Sequence, residues 1–143
     1  MTKRIFTALI AAAFAGLSAL PALSEVSLMM FDRDGCPSCI EWKNTLGPIY
    51  PKTYEGRVAP LEITDIEGKV PENLTLKTRP FYSPTFILLD DGIEVGRIEG
   101  YPGEDWFWGL LGAMIKKLPD EKQKDPGIDP ALTSSSTEES PTS

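Results

Sequence analysis

The sequence predicts one small α/β domain whose elements follow in the order strand–helix–strand and then strand–strand–helix, a βαβ–ββα arrangement. Three stretches lead to this prediction. The apolar run 26–31 is typical of a buried strand and leads directly into a helix that Pro37 can begin. Residues 85–99 contain two strand-like runs around Asp90-Asp91-Gly92, which is typical of a hairpin turn. Residues 106–118 repeat apolar side chains at the spacing of an amphipathic helix.

The first strand and the first helix are expected to be joined by the turn 32–35. Pro37 suits the first turn of a helix because it lacks an N–H group and its φ angle is already helical. No helix-breaking residue follows until Gly47-Pro48, where the helix is expected to end or kink. The face that we expect to be buried comprises Cys39, Trp42 and Leu46.

The middle of the domain gives weaker signals. Residues 57–63 are predicted to form the second strand, although Pro60 cannot donate a hydrogen bond from the strand interior. A polar passage follows, and within it we expect at most one short helix, at residues 71–76.

The last part of the domain predicts a hairpin and a helix. The strands are expected at 85–89 and Ile93–Glu99, and Asp105 or Glu104 can cap the helix that follows. We interpret the three tryptophans as core or core-edge residues rather than as a ligand cage. The apolar stripe of the last helix comprises Trp106, Phe107, Leu110, Leu111, Met114, Ile115 and Leu118.

Residues 1–24 have the features of a cleaved secretory signal peptide. Lys3 and Arg4 precede an apolar stretch, and Ala22-Leu23-Ser24 has the small-x-small pattern of a cleavage site. A transmembrane anchor is the alternative, but the apolar run is interrupted and short for a membrane span. The protein is therefore predicted to be exported from the cytosol.

Residues 120–143 differ from the domain in composition. They are rich in Ser, Thr, Pro and acidic residues and contain few large apolar side chains. Such a segment cannot bury enough apolar surface to fold, so we predict a disordered tail. The folded domain is accordingly expected to span residues 25–119.

The composition excludes several classes of function. The formal net charge is −7, and the predicted domain has no basic cluster, which argues against nucleic acid or an anionic membrane as a partner. The chain has no histidine, so hydrolysis by a Ser-His or Cys-His pair is unavailable. We expect a monomer that holds no metal.

Cys36 and Cys39 are the only cysteines of the chain, and Pro37 and Ser38 lie between them. The free N–H groups and the positive dipole end of the helix favour a thiolate at Cys36. A thiolate is the nucleophile of disulfide exchange. Cys39 lies three residues further along the same helical face and can close a disulfide with Cys36. We therefore predict a redox-active pair in which Cys36 attacks and Cys39 resolves.

The cysteine pair has two other interpretations. Half a zinc site would lack its remaining ligands, since there is no third cysteine and no histidine. A purely structural disulfide would close a loop too short to stabilise the fold much. We favour redox activity over both.

The Cys-x-x-Cys after the first strand and Ser83-Pro84-Thr85 at the head of the third strand together resemble the thioredoxin family in its minimal form. The resemblance covers most of residues 25–119 and implies a mixed sheet flanked by helices. It also implies that the Ser83–Pro84 bond is cis, that Pro84 lies close to Cys36, and that Ser83 and Pro84 hold a substrate strand by main-chain hydrogen bonds.

Other residues refine this resemblance. The stretches 31–37 and 79–85 are similar to the small periplasmic thioredoxins of bacterial sulfur-oxidation (Sox) systems. Phe81 and Tyr82, just before Ser83, either contact substrate beside the cysteines or pack against the domain. Many thioredoxins bury an aspartate as a proton relay where this chain has Met30, so the acceptor of the Cys39 proton stays open.

The resemblance implies a periplasmic thiol:disulfide oxidoreductase that needs no cofactor beyond the redox-active Cys36–Cys39 disulfide. We expect it to reduce disulfides or sulfur-blocked cysteines of a partner protein, with electrons from a membrane thiol transporter. The domain is minimal, without the inserted domain of periplasmic oxidases. Pro37 supports one alternative, a disulfide oxidant, because Cys-Pro-x-Cys resembles oxidases and glutaredoxins. The other alternative is a non-enzymatic peptide-binding module with a structural disulfide.

Overall fold

Four strands form one mixed sheet at the centre of the computed structural model, which describes residues 25–127. Across the sheet, β1 pairs parallel with β2 and antiparallel with β3, and β3 pairs antiparallel with β4, in the order β2-β1-β3-β4. The α/β architecture with a mixed sheet is confirmed. The elements are β1 (Val26–Asp32), α1 (Pro37–Thr45), α2 (Tyr54–Val58), β2 (Leu61–Asp65), β3 (Thr85–Asp90), β4 (Ile93–Glu99) and α3 (Glu104–Ile115).

One face of the sheet packs against the helices and forms the main core. Trp42 of α1, Phe86 of β3 and Phe107 of α3 meet there, with ring centroids 4.9–5.4 Å apart. All three are fully buried, as are Cys39 and Met30. Because interior side chains are close-packed, this aromatic cluster fixes the position of α1 relative to the sheet.

The opposite face of the sheet is covered by an irregular segment, residues 66–84, and the helix expected at 71–76 does not form. The backbone of this segment bonds to β4 instead: Thr75 N donates to Gly92 O at 2.8 Å, and Glu94 N donates to Thr75 O at 3.0 Å. Glu94 is buried, which works to raise its pKa, but hydrogen bonds from Arg97 and from the Lys77 N–H outweigh burial and lower that pKa. These bonds fasten the segment to the sheet.

The strand predicted at 57–63 begins only at Leu61. Residues Tyr54–Val58 form α2, whose first turn is capped by Thr53, since Thr53 Oγ1 accepts from Gly56 N at 3.1 Å. Pro60 has no N–H for a strand, but its carbonyl accepts from Leu28 N at 2.9 Å and so leads Leu61 into register with Leu28.

The last helix, α3, begins after Gly103, whose φ of 98° favours glycine, and no side chain caps it. Glu104 and Asp105, predicted as caps, lie within its first turn, where acidic groups are also favourable. The predicted apolar stripe was too broad: Trp106 and Leu110 are 70% and 42% exposed. Trp108 stacks on Tyr50 at a centroid distance of 5.9 Å, as expected for a core-edge residue.

The chain stays against the domain beyond Pro119. Tyr54 Oη donates to Gln123 O at 2.5 Å, and the Arg57 guanidinium holds the Asp125 carboxylate. Within the described residues, these contacts reach as far as Gly127, because two side chains of α2 supply partners for a polar segment. The disorder predicted from residue 120 stays a prediction. The rest of the predicted tail and the predicted signal peptide, 1–24, lie outside the described residues. Between residues 25 and 127, no helix has the length and apolar content to cross a bilayer.

Candidate active site

A tight turn places Cys36 at the start of α1. β1 ends at Asp32, and Cys36 N then donates to Arg33 O at 3.2 Å across a turn in which Gly35 has a φ of 70°. Cys36 is the N-cap of α1, and Pro37 occupies the first helical position, as predicted. Cys36 Sγ accepts a hydrogen bond from Cys39 N at 3.2 Å.

The two cysteines form a disulfide and differ in exposure. Their Cα atoms are 5.3 Å apart. Cys36 is half-buried at the surface, whereas Cys39 is fully buried on the face of α1 that packs against the core, together with Trp42. Of the two residues between them, Pro37 is exposed and Ser38 is half-buried. One sulfur can thus be reached from solvent and the other is enclosed.

Ser83, which lies just before β3, contacts the sulfur atoms of both cysteines. The Ser83–Pro84 peptide bond is cis, and Pro84 leads into β3, where Thr85 pairs with Phe31 at the end of β1 next to the cysteines. Cys36 Sγ lies 3.5 Å from the Ser83 carbonyl oxygen, and Cys39 Sγ lies 3.1 Å from Ser83 Oγ. The contact between Ser83 Oγ and Cys39 Sγ could not be predicted from the sequence, because the two residues are far apart along the chain.

The loop around Pro84 is held by two hydrogen bonds. Thr85 Oγ1 donates to Tyr82 O at 2.6 Å, and Gly100 N donates to Pro84 O at 2.7 Å. Phe81 and Tyr82 project from this loop and are 78% and 60% exposed, with their rings in edge contact at 5.5 Å. A firmly held backbone therefore carries two exposed aromatic rings immediately before Ser83.

Charged groups flank the turn that carries Cys36. The Asp32 carboxylate accepts from Lys43 Nζ at 2.5 Å and from Arg33 N at 2.8 Å. Arg33 forms an exposed ion pair with Glu67 at 3.2 Å. Met30 is fully buried. It occupies the position at which many thioredoxins bury an aspartate. Among residues 25–127, no three His, Cys, Asp or Glu side chains cluster as metal ligands.

Fold and cysteine pair together define a class of protein, the thioredoxin-fold proteins of thiol–disulfide chemistry. The features that indicate this class here are the disulfide between the N-cap residue Cys36 and Cys39, three residues further on, and the contact of both sulfurs with Ser83 just before β3.

Comparison with solved structures identifies the family. The chain is similar to the crystal structure of the periplasmic thioredoxin SoxS from Paracoccus pantotrophus in its reduced form, with 41% sequence identity and a TM-score of 0.64. The match covers 65% of this chain and 98% of that one. No family model matches the chain, and no curated protein matches it. At this identity and coverage, the chain belongs to the thioredoxin family and resembles its Sox-type members, as the sequence motifs predicted.

Proposed function

We propose that this protein is a periplasmic thiol:disulfide oxidoreductase that reduces disulfides or sulfur-blocked cysteines of a partner protein. The observation that carries the proposal is the unequal exposure of the two bonded cysteines. The half-buried Cys36 can meet a partner, and the enclosed Cys39 can be reached only by Cys36. This division suits one attacking and one resolving thiol.

The reduced protein would begin the reaction at Cys36. Its thiolate is favoured by the N-terminus of α1 and by the Cys39 N–H, which already points at Sγ from 3.2 Å. The thiolate attacks a partner disulfide, one partner sulfur leaves as a thiolate, and a mixed disulfide forms at Cys36. Cys39 then attacks Cys36 Sγ and releases the second partner thiolate. Two electrons pass to the partner, and the Cys36–Cys39 disulfide is the only oxidised product on this chain.

The loop before β3 is the proposed substrate-binding surface. Ser83 lies beside the sulfurs, and Pro84 follows it on a backbone held by Gly100 and Thr85, so an extended partner segment can add to this backbone by main-chain hydrogen bonds. Phe81 and Tyr82 would supply apolar contact on the flank, because their exposed rings bury surface when a partner docks. Contact of these two rings with substrate stays a prediction.

The proposed compartment is supported by the family resemblance and the predicted signal peptide, and the proposed direction by the family resemblance. A periplasmic protein works where disulfides normally form, so a reductase there needs electrons from a membrane thiol transporter. The partner would carry a disulfide or a sulfur-blocked cysteine. The similar structure is named a periplasmic thioredoxin, which supports this assignment.

Insulin reduction by dithiothreitol tests the proposed activity. We expect the protein to accelerate it and Cys36→Ser to abolish the acceleration. Equilibration with glutathione then tests direction: a potential near that of thioredoxin, about −270 mV, indicates a reductant, and one near about −120 mV indicates an oxidant. Loss of all acceleration in the unaltered protein would leave the peptide-binding module as the better description.

A further inference from the structure

We propose that the Ser83 hydroxyl is a catalytic group of the resolving step, in which it donates a hydrogen bond to the Cys39 thiolate. This inference rests on the proposed function and adds a role for a side chain that the cysteine motif does not include. The supporting contact is direct, since Ser83 Oγ lies 3.1 Å from Cys39 Sγ. Substrate holding, by contrast, requires only the backbone of Ser83.

The surroundings of Cys39 oppose its ionisation. The side chain is fully buried and packs in the main core, in a cluster that also includes Met30 and Trp42. Burial among apolar groups disfavours a charged sulfur, yet resolution needs the thiolate because a neutral thiol is a poor nucleophile. A polar group in contact with Cys39 Sγ therefore has a large influence on the rate of resolution.

The carboxylates of the described residues are placed less well than Ser83 to influence the ionisation of Cys39. Glu94 is buried, but it pairs with Leu89 toward the far end of β3 and is held by Arg97. Asp32 ends β1 near the cysteines, and its carboxylate is engaged by Lys43 Nζ and Arg33 N. On α1 itself, Glu41 follows Cys39 by two residues and is exposed, and Lys43 is bonded to Asp32. Asp32 is therefore the rival proton acceptor.

Cys39 can be a disulfide, a thiol or a thiolate. In the disulfide and thiolate states, the Ser83 hydroxyl must be the hydrogen-bond donor. A disulfide sulfur carries no hydrogen, so Ser83 O–H donates to it in the oxidised protein. A thiolate sulfur also only accepts, and the same bond strengthens because the acceptor becomes charged. Ser83 thus needs no rotation of the backbone to follow Cys39 from disulfide to thiolate.

The step balances without a proton held by Ser83. Cys39 gives up one proton, and its thiolate attacks Cys36 Sγ of the mixed disulfide. The Cys36–partner S–S bond breaks while the Cys36–Cys39 bond forms, and the departing partner thiolate takes up one proton, so no net proton is gained or lost. Ser83 keeps its own hydrogen throughout and acts by stabilising the attacking charge.

The test follows both steps in one reaction. The reduced protein is mixed with one equivalent of dithiobis(nitrobenzoate), whose released thiolate is coloured. The first release reports attack by Cys36, and the second reports resolution by Cys39. We expect Ser83→Ala to lower the ratio of the second rate constant to the first by about tenfold or more, the typical effect of losing a hydrogen bond to a charged group. The second phase should also require higher pH.

Ser83→Thr is the matched control, because it restores a hydroxyl on the same backbone. Recovery of the ratio in Ser83→Thr supports the proposal, and an equally slow second phase there overturns it, since geometry rather than the hydroxyl would be the cause. A second phase that is unchanged in Ser83→Ala but slowed in Asp32→Asn also overturns it in favour of the carboxylate. If the unaltered protein shows no second release, the proposed function itself fails.

Discussion

Cys36 and Cys39 occupy environments so different that replacing each one should have a different result. Cys39→Ser leaves the half-exposed Cys36 able to attack and removes the thiol that would release the partner. We therefore expect periplasmic extracts of cells that produce Cys39→Ser to contain mixed disulfides. These should appear on non-reducing gels and disappear with dithiothreitol.

The control is the opposite single replacement. Cys36→Ser retains only the fully buried Cys39, which a partner cannot reach, and should give no adducts. The reverse pattern, with adducts in Cys36→Ser and none in Cys39→Ser, would exchange the two assigned roles.

Among single residues, the sequence predicted the Cys36–Cys39 disulfide and the cis bond before Pro84, because both belong to short motifs. The contact between the Ser83 hydroxyl and Cys39 Sγ could not be predicted from the sequence, since it depends on how α1 and the head of β3 approach each other in space. Asp32 was expected in the turn 32–35, but it ends β1, and its carboxylate accepts a hydrogen bond from Lys43 Nζ at 2.5 Å. Lys43 lies one helical turn after Cys39 and therefore on the same side of α1. This spacing could have indicated that Lys43 lies near the site.

Among the secondary-structure elements, α3 offers a comparison between two adjacent leucines. Leu111 is fully buried in the main core and Leu110 is 42% exposed. Leu111→Ala should lower the free energy of unfolding by about 2–5 kcal/mol, because it removes core packing and leaves a cavity. Leu110→Ala should lower it by less than about 1 kcal/mol. Urea denaturation measures both, and equal costs would contradict the placement of the helix.

The contact between α2 and the segment 120–127 makes a pH-dependent prediction. The hydrogen bond from Arg57, and then that from Gly127 N, lowers the pKa of Asp125 to about 2, below the usual value for Asp of about 3.9. A lowered pKa in the folded state means that the contact contributes fully above the usual pKa and is lost as pH falls through about 2. We therefore expect the segment to stay docked in mildly acidic solution.

NMR titration of the Asp125 carboxyl measures this contact. Arg57→Gln should return the Asp125 pKa toward its ordinary range and increase amide exchange in residues 123–127. Arg33→Gln is the control, because Arg33 forms an exposed ion pair with Glu67 on another part of the surface. An ordinary Asp125 pKa in the unaltered protein would show that the segment is not docked in solution.

Local signals determined which elements the sequence could predict. β1, α1 and the β3–β4 hairpin have clear periodicity, a first-turn proline or a tight turn, and they formed as expected. The segment 71–76 uses its backbone to bond β4, and Pro60 delays the start of β2, which are both consequences of tertiary contacts. Trp106 was placed in the core because helical spacing alone does not show where a buried face ends.

For the molecule as a whole, redox state and folding stability are linked. The chain has one cysteine pair, so folded and unfolded, oxidised and reduced forms make a single thermodynamic cycle. If the folded pair is a reductant, folding lowers its potential and the oxidised protein must be the more stable form. Each 30 mV of lowering corresponds to about 1.4 kcal/mol of extra unfolding free energy.

Denaturation in oxidising and in reducing buffer measures this difference. The double variant Cys36→Ser/Cys39→Ser is the control and should unfold identically in both buffers. A reduced form that is more stable than the oxidised form would identify an oxidant and reverse the proposed direction of electron flow.

The position of β2 has a consequence for handling the protein in concentrated solution. Among the described strands, β2 ends the sheet, and nothing in that part of the chain pairs with its outer side. The unpaired backbone groups of such an edge can form hydrogen bonds with a strand of a second molecule. Ile63 on this edge is 51% exposed. Glu62 and Asp65 on the same strand are exposed, and their negative charges repel an incoming copy. Acidification or high salt removes that repulsion, so turbidity should develop first under those conditions and last in dilute neutral buffer.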